Sequence, residues 1–481
     1  METMVTRRQL VAAASGIGSA GILGYLLTRD DETAPPSKTT DETPSRAGTE
    51  TDSGPDYADR EDVVDVREFG AVGDGRTDDS GAITEAIRAA ESGETVFLPE
   101  TDASYLLSFD GSGEETAIPL GTESALSGVT VAGETPARGA QTLQVEPGSY
   151  DASAPNWVVQ LTAAQRFEGF TLRNLTIDGA RPDDDGAAAL GGEDSMTGVL
   201  LRRGSADGGH SITVENCVVR NCSASALRFE ETGVTCRNVT ARRAGRHGFN
   251  PVADDGAVDP GFVGESIEAV DNGGTGIDHR RGTARLETVY TENNRSGNKW
   301  KHHVRRLEVR DHHSVGDRNR GWRSNHTGTE NVPDVQRLVF RNILVEEPEI
   351  SGIRVSGDTT EIACDFDNIE VRQTRVRNSR AGVVFSRNAH TDDETSGRVV
   401  VVGTDNGGGV YVGSDAVMNV GTFDHYRNEE GAFIAETGVL NYDTIENADP
   451  GHNVVGAPAK DTVGAFSDSP NERPGTDAGP L

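Results

Sequence analysis

The sequence predicts an all-β protein, a solenoid in the form of a single-stranded parallel β-helix with an N-terminal capping helix. Three observations carry this prediction: 58 glycines in 481 residues, only 5% aromatic residues, and short β-rich stretches that recur at uneven intervals. Glycine suits tight corners, and a narrow core needs few aromatic side chains. Coils of about twenty residues, with loops inserted in some turns, would produce such an irregular repeat.

The two ends of the chain predict segments outside this solenoid. In residues 1–27, Arg7 and Arg8 precede a mildly apolar stretch, which resembles a twin-arginine export signal. A stretch of this length can just span a bilayer, so it is either a cleaved signal or a membrane anchor. Residues 28–62 are acidic and almost free of large apolar side chains, which predicts a disordered linker, and 466–481 predict a disordered tail. The β-helix then occupies 63–465 and lies outside the cell or on its surface.

The first folded segment carries the most specific pattern in the chain. A short strand at Val63 leads into the run G-A-V-G-D-G-R-T-D-D-S, which starts at Gly70. The helix that follows has its apolar residues at the spacing of a single face: Ile83, Ala86, Ile87 and Ala90. Asp79 or Ser80 is a suitable N-cap, and the strand T-V-F-L ends at Pro99. An amphipathic helix here would cover the exposed strand edges at the end of a solenoid.

This run, its helix and T-V-F-L-P together resemble the N-terminal module of pectate-lyase-like β-helix proteins. That superfamily includes polygalacturonases, polysaccharide lyases, alginate epimerases and phage tailspike enzymes. The resemblance implies a right-handed parallel β-helix that handles a polysaccharide. It covers only this N-terminal module and does not specify a reaction, because one fold hosts many functions.

Two residue types predict structural roles within the coils. Asparagines recur just after the predicted strands, where their tolerance of the left-handed conformation favours stacked corner ladders; they are Asn174, Asn216, Asn238, Asn342 and Asn378. The cysteines lack the spacing of a metal site, and we interpret them as small core residues, although a disulfide remains open; they are Cys217, Cys222, Cys236 and Cys364.

The net charge of −33 indicates the solvent more than the ligand. There are 78 acidic and 45 basic residues, and only four of the bases are lysines. An acidic, lysine-poor composition resembles that of proteins from salt-loving archaea, in which charge maintains solubility. The same charge argues against nucleic acid as a general partner.

The window from Asp278 to His326 departs from this acidic background. It holds twelve Arg or Lys against six Asp or Glu, together with six of the eleven histidines and two of the three tryptophans. A local positive surface with aromatic rings suits an anionic chain with apolar sugar faces, which predicts an acidic polysaccharide as partner. An i, i+22 spacing connects three sets within the window: His279, Lys301 and Arg323; Arg281, His303 and Asn325; Trp300 and Trp322. Coils of that length would stack each set on one face.

These residue types favour a lyase that acts on a polyuronate by β-elimination. We expect Lys301 or His279 to be the base, and Arg323 or Arg281 to bind the substrate carboxylate, for which a guanidinium is well shaped. The expected substrate-binding residues are Arg280, Arg281, Lys299, Trp300, His303, Arg320 and Trp322. The alternative for this window is a set of arginines in ion pairs with the acidic surface.

Two other functions stay open at this stage. A hydrolase needs paired carboxylates, for which Asp254 and Asp255, about one coil before Asp278, are candidates, but the N-T-D, G-H-G and R-I-K motifs of polygalacturonases are missing. The segment starting at Phe249, F-N-P-V, lacks the Asp and His of the D-P-H-E motif of alginate epimerases, which argues against close kinship with them. A non-catalytic surface protein that binds glycan is the remaining class.

Metal binding has weaker support. Neighbouring residues on a strand point to opposite faces, so the pairs His302-His303 and His312-His313 are not expected to chelate a metal together. Calcium remains possible, because any of many aspartates could supply oxygen ligands. No cofactor is otherwise expected.

Overall fold

The computed structural model describes the chain between residues 62 and 455. The gaps in that description are 110–114, 121–125, 136–140, 151–153, 164–167, 182–195, 204–210, 231, 253–260, 326–334, 349, 358–360, 373–380, 387–388, 392–397, 403–407, 414, 427–429, 435–438 and 447–453. The predicted signal or anchor, nearly all of the linker, and the tail therefore lie outside the described residues. Within them, no helix is long and apolar enough to cross a membrane.

The chain folds as a right-handed parallel β-helix. The N-terminal strands are β1 (Val63–Asp65), β2 (Thr95–Leu98), β3 (Tyr105–Leu107), β4 (Glu115–Leu120), β5 (Thr130–Gly133), β6 (Gln141–Val145), β7 (Asn156–Ala163), β8 (Glu168–Arg173), β9 (Leu175–Asp178), β10 (Met196–Arg203), β11 (Ser211–Glu215), β12 (Val218–Arg220), β13 (Leu227–Glu230), β14 (Val234–Arg242) and β15 (Phe249–Val252). A 3₁₀ turn (Val66–Phe69) and helix α1 (Ser80–Ala89) lie between β1 and β2.

The C-terminal strands continue the same winding. They are β16 (Phe262–Val270), β17 (Thr275–Glu292), β18 (Ser296–Val315), β19 (Arg320–Asn325), β20 (Val335–Glu346), β21 (Ser351–Ser356), β22 (Glu361–Arg372), β23 (Ala381–Ser386), β24 (Ala389–Thr391), β25 (Arg398–Val402), β26 (Gly408–Val412), β27 (Val417–Tyr426), β28 (Glu430–Ile434), β29 (Val439–Glu446) and β30 (Val454–Val455). Each strand pairs in parallel with the strand one coil away. The predicted fold class is confirmed.

One sheet of the solenoid carries the candidate site, and we call it the site sheet. In order along the axis it contains β4, β7, β10, β13, β15, the first parts of β17 and β18, β19, β21, β23, β26, β28 and β30. Alternate side chains of each strand point into the core. Residues on either side of an inward position therefore form an outward face.

The core is a continuous stack of apolar side chains along the axis. Aromatic rings from successive coils meet there: the ring centroids of Trp322 and Phe340 lie 5.3 Å apart, and those of Phe366 and Phe385 lie 5.2 Å apart. The four cysteines are buried and free, as the interpretation of them as core residues predicted. Burial raises the pKa of the Cys217 thiol to about 12.

Polar ladders hold the corners between strands. Asn216 donates from Nδ2 to Oδ1 of Asn174 at 3.2 Å, and Asn238 donates to Asn216 at 2.7 Å. All three residues have positive φ, between 52° and 59°, which asparagine tolerates better than most residues. Asn342 belongs to a second ladder, in which its Nδ2 donates to Asp311 at 2.8 Å. The structural role predicted for these asparagines is confirmed, and Asn378 lies outside the described residues.

The N-terminal end is capped as predicted. Helix α1 buries Ile83, Ala86 and Ile87 against the first coils. Asp79 occupies the N-cap position, but its side chain makes no capping hydrogen bond to the helix. Its buried carboxylate accepts instead from the backbone N–H groups of Val72, at 2.7 Å, and Gly73, at 3.1 Å. Asp79 therefore fixes the glycine-rich loop to the start of the helix.

Candidate active site

A column of charged side chains lies on the outward face of the site sheet. Asp278 on β17 pairs with Lys299 on β18, Lys299 pairs with Arg323 on β19, and Arg323 pairs with Arg354 on β21. The inward neighbours of this column, such as Ile277 and Trp322, lie in the core. Successive members are one strand spacing apart, about 4.8 Å.

Asp278 is the centre of this cluster. Its carboxylate is fully buried. Oδ2 lies 3.0 Å from Nε of Arg280 and 3.3 Å from Nε2 of His247, and Oδ1 lies 3.6 Å from Nζ of Lys299. Burial by itself would raise the pKa of Asp278, but the contact with His247 and the positive charges of Lys299 and Arg280 lower it below its ordinary value. Asp278 is therefore a fixed anion that positions three side chains.

His247 is held in one neutral form. The backbone N–H of Thr275 donates to Nδ1 of His247 at 3.1 Å, so the ring proton of the neutral imidazole resides on Nε2 and faces Asp278. Burial lowers the pKa of His247 to about 3, against the pull of the Asp278 charge. With one nitrogen accepting and the other protonated, this histidine orients its neighbours and is not available as a base.

Lys299 is the group whose proton affinity suits catalysis near neutral pH. Its side chain is 12% exposed. Burial lowers its pKa to about 8; the charges of Lys301, Arg323 and Arg280 add to this effect, and Asp278 opposes it. An amine of this pKa is substantially neutral in mildly alkaline solution and can accept a proton.

Arginines flank Lys299 on the C-terminal side. Arg323 is half-buried and its pKa is lowered by burial. Arg320 is buried, donates from Nε to the hydroxyl of Ser351 at 3.1 Å, and has its pKa lowered to about 10 by burial and by the charges of Arg354 and Arg323. Arg323 and Arg354 lie on two successive coils, and together with Lys299 they extend the positive charge over three.

The structure brings together five of the predicted site residues. Asp278, Arg280, Lys299 and Arg323 belong to one cluster. Lys301 lies two positions after Lys299 on the same strand, is half-buried, and its charge acts on both Asp278 and Lys299. The positive window therefore forms a local surface on the site sheet.

Three predicted site residues are placed wrongly by the sequence argument. His279, Trp300 and Trp322 are at most 2% exposed and lie in the core. His279 pairs with Trp300 instead of Lys301, because the coil here is one residue shorter than the sequence argument assumed, and a slip of one residue reverses the face. The two indoles do adjoin, with centroids 6.2 Å apart. They cannot stack on a sugar, and His279 cannot reach one.

The structure tests the remaining predicted site residues only in part. Arg281 and His303 pair in register, as the i, i+22 spacing predicted, whereas Asn325 pairs with Lys301. The side chains of Arg281 and His303, and the whole of Asp254 and Asp255, lie outside the described residues. No role is assigned to them from the structure.

Sequence reasoning missed two residues next to Asp278. The sequence analysis gave His247 no role, and it included Asn250 only as part of F-N-P-V. Phe249 pairs with Ile277, which brings Asn250 beside Asp278. Asn250 is 1% exposed, and neither amide atom hydrogen-bonds within the described structure. The available signal was position, because both residues come about one coil before Asp278.

The side chains of His302 and His303 lie outside the described residues, and those of the pair His312-His313 point to opposite faces. His312 lies in the core, where its Nδ1 accepts from Nε1 of Trp322 at 2.7 Å. Nε2 of His313 faces outward, 2.7 Å from the carboxylate of Glu346. Among the described residues, no group of three or more His, Cys, Asp or Glu side chains could hold a metal ion. A calcium requirement stays a prediction.

Comparisons with known proteins agree with this fold. Residues 63–107 match the family model described as "Rhamnogalacturonase A/epimerase, pectate lyase-like". Alginate lyase 7 of Azotobacter vinelandii is 29% identical over 193 residues, which are 39% of this chain and 20% of that protein. Mannuronan C5-epimerase AlgE5 of the same organism is 30% identical over 241 residues, 45% of this chain and 22% of that protein. The chain is similar to alginate-modifying enzymes.

Two solved structures match this chain at lower identity. The A-module of mannuronan C-5 epimerase AlgE4 from A. vinelandii has a TM-score of 0.45 at 19% identity, covering 82% of this chain and all of that one. A family 28 exopolygalacturonase from Yersinia enterocolitica has a TM-score of 0.40 at 13% identity, covering 81% and 79%. The D-P-H-E motif is missing from F-N-P-V, although mannuronan epimerases are among the proteins to which part of the chain is similar. The chain spans about a fifth of the length of the curated relatives just described.

Proposed function

We propose that this protein is a polysaccharide-active enzyme that abstracts the C5 proton of a uronate unit, most directly as a polyuronate lyase. The observation that carries the proposal is Lys299, an amine of pKa about 8 held by a buried carboxylate among guanidinium groups on an outward face. The names of the relatives supply the substrate class, because alginate and mannuronan are polyuronates.

The chemistry needs a base and a positive charge at two different atoms. Lys299 takes the C5 proton in its neutral form, and the electron pair left on C5 is delocalised into the adjacent carboxylate. Arg323, one coil away, neutralises the charge that develops on the carboxylate oxygens. Asp278 is a positioning residue that keeps the amine and Arg280 in place. This arrangement differs from the one we predicted, in which Lys301 was the base.

The intermediate has two outcomes from the same first step. In β-elimination the C4–O4 bond breaks, a C4=C5 double bond forms, and the leaving oxygen takes a proton. In epimerisation C5 regains a proton on the opposite face and no bond of the chain breaks. The relatives include a lyase and an epimerase by name, which supports both outcomes. We propose β-elimination as the main reaction.

Hydrolysis has less support from the site. A glycosidase of the common type needs two carboxylates about 5 to 10 Å apart. The described cluster contains one carboxylate, Asp278, whose low pKa suits neither a general acid nor a protonated partner.

We also propose that the protein works outside the cell or on its surface, on the support of its twin-arginine-like N-terminus.

Product analysis tests the proposal. The purified protein is incubated in high salt with alginate and with polygalacturonate, and unsaturated ends are followed by ultraviolet absorbance, reducing ends by chemical assay, and C5 configuration by NMR. We expect unsaturated ends or inverted uronates. New reducing ends without unsaturation would indicate a hydrolase, and binding without any product would indicate the non-catalytic class.

A matched pair of variants tests the assignment of the base. Lys299→Met should abolish turnover, because it removes the amine whose pKa burial lowers to about 8. Lys301→Met, two positions away on the same face, should retain turnover. The reverse result would restore Lys301 as the base, and an active Lys299→Met protein would contradict the mechanism.

A further inference from the structure

The outward column of the site sheet differs on the two sides of Asp278. Toward the C-terminal end it continues with Lys299, Arg323 and Arg354 in strict register. Toward the N-terminal end, Asn250 lies beside Asp278 and pairs with Arg228. The column is therefore cationic on one side over three coils and begins with a neutral amide on the other.

The first arginine on the N-terminal side shares its carboxylate partner with a second arginine. Nε of Arg228 lies 2.6 Å from the carboxylate of Glu230, which also forms an ion pair with Arg202. Beyond Arg228 the column continues with Leu200, Gln160 and Pro119, which carry no charge. The group of Arg202, Glu230 and Arg228 carries one net positive charge, against three cationic side chains in the column on the other side. Among the described strand residues, the positive potential along the column is therefore larger on the C-terminal side of Asp278.

The spacing of the column suits a linear polysaccharide. Coils repeat about every 4.8 Å along the axis, which is comparable with the length of one sugar unit in an extended chain. A polysaccharide that lies along the axis would place roughly one unit on each coil. Arg323 and Arg354 would then face the carboxylates of the reacting unit and its neighbour, whereas Asn250 and the Arg228–Glu230 pair would face units on the opposite side.

We propose that the site selects for charge on one side only. Resting on the proposed function, this means that the enzyme requires a uronate unit on the C-terminal side of the reacting unit, and accepts a neutral sugar or the end of the chain on the N-terminal side. A glycan with a neutral sugar on the N-terminal side of the reacting uronate is then a substrate, provided that a uronate follows on the C-terminal side.

Equilibrium binding in the Lys299→Met background tests this inference independently of turnover. The probes are uronate oligomers of increasing length, titrated into the protein and into versions with Arg354→Gln or Arg228→Gln. Arg354→Gln should raise the Kd of the longer oligomers about tenfold and leave the Kd of the shortest unchanged. Arg228→Gln, the matched change on the other side, should leave both unchanged, and thermal unfolding checks that each variant is folded.

A second set of ligands measures the difference between the two sides of the site directly. Two isomeric oligosaccharides with one neutral unit, placed either at the reducing end or at the non-reducing end, should differ about tenfold in Kd. Equal affinities, or equal effects of Arg354→Gln and Arg228→Gln, would overturn the inference. Failure of the proposed function looks different, because the protein with Lys299 intact would then form no product while the binding asymmetry could still be measured.

Discussion

A buried carboxyl beneath the site gives the most quantitative prediction. Asp317 is fully buried and accepts four hydrogen bonds. They come from the backbone and side-chain amides of Asn294, at 2.9 and 3.0 Å, and from the hydroxyls of Thr291, at 2.8 Å, and Ser314, at 2.5 Å. Gly297 makes room for this network, because a Cβ there would clash with Oδ2 of Asp317. Burial outweighs the hydrogen bonds and raises the pKa of Asp317 to about 6.

The raised pKa of Asp317 makes the folded state more stable at low pH than at high pH. The ordinary value is 3.8, so the folded state binds a proton more tightly than the unfolded state between those two values. The free energy of unfolding therefore rises as the pH falls through 6. At about 1.4 kcal/mol for each unit of pKa, the full rise is about 3 kcal/mol. Between about pH 7.5 and about pH 4.5 the two-state expression gives about 2 kcal/mol of this gain.

Replacing Asp317 with asparagine removes the titration while keeping the shape. Urea unfolding is followed by tryptophan fluorescence, since Trp322 lies in the same polar network through His312. When the pH falls from about 7.5 to about 4.5, the free energy of unfolding of the wild type should rise by about 2 kcal/mol relative to that of the Asp317→Asn variant. Asp271→Asn, at an exposed corner, is the matched control for the loss of one carboxylate. A difference between wild type and Asp317→Asn that stays constant with pH would refute this reasoning.

Two further predictions follow from the site and from the core. The kcat/KM of the enzyme should rise with pH and level off above an inflection near 8, where Lys299 loses its proton. Asp278→Asn should move that inflection to lower pH, because the Asp278 charge raises the pKa of Lys299. A move to higher pH would contradict this assignment. Trp322→Phe should destabilise the fold by about 2–4 kcal/mol, since it leaves a gap and removes the donor to His312, while the Kd of uronate oligomers stays the same. Weakened binding at unchanged stability would return Trp322 to the sugar-binding surface.

The parts of the structure that depend on local pattern were predictable. The corner asparagines combine a strand end with a side chain that tolerates positive φ, so their ladder could be anticipated from position alone. The N-terminal module was recognised from its glycine-rich run and its amphipathic helix, and its helix and strand β2 appear where the sequence predicted them. The concentration of positive charge between Asp278 and Arg323 also proved to be a surface.

The register between coils was not predictable in the same way. Asp278 pairs with Lys299 at i, i+21, and Lys299 pairs with Arg323 at i, i+24, so a uniform i, i+22 repeat fails on both sides of β18. A register shift between His279 and Arg281 then restores the i, i+22 pairing of Arg281 with His303. Since side chains alternate with a period of two, each odd error exchanges core and surface. The one-residue error before β18 placed His279 outside, whereas the two-residue error after β18 preserves the face. The tryptophans were misplaced for another reason: alternation within β18 turns Trp300 into the core between the outward Lys299 and Lys301.

Hydrogen exchange at C5 tests the central claim most directly. The protein is incubated with a polyuronate in deuterium oxide, and deuterium at C5 is measured by NMR together with unsaturated ends. The wild type should give one or both signals. Lys299→Arg should give neither, because a guanidinium keeps the positive charge but does not release its proton to become a base. Exchange or elimination that persists in Lys299→Arg would contradict the assignment of Lys299 as the group that takes the proton.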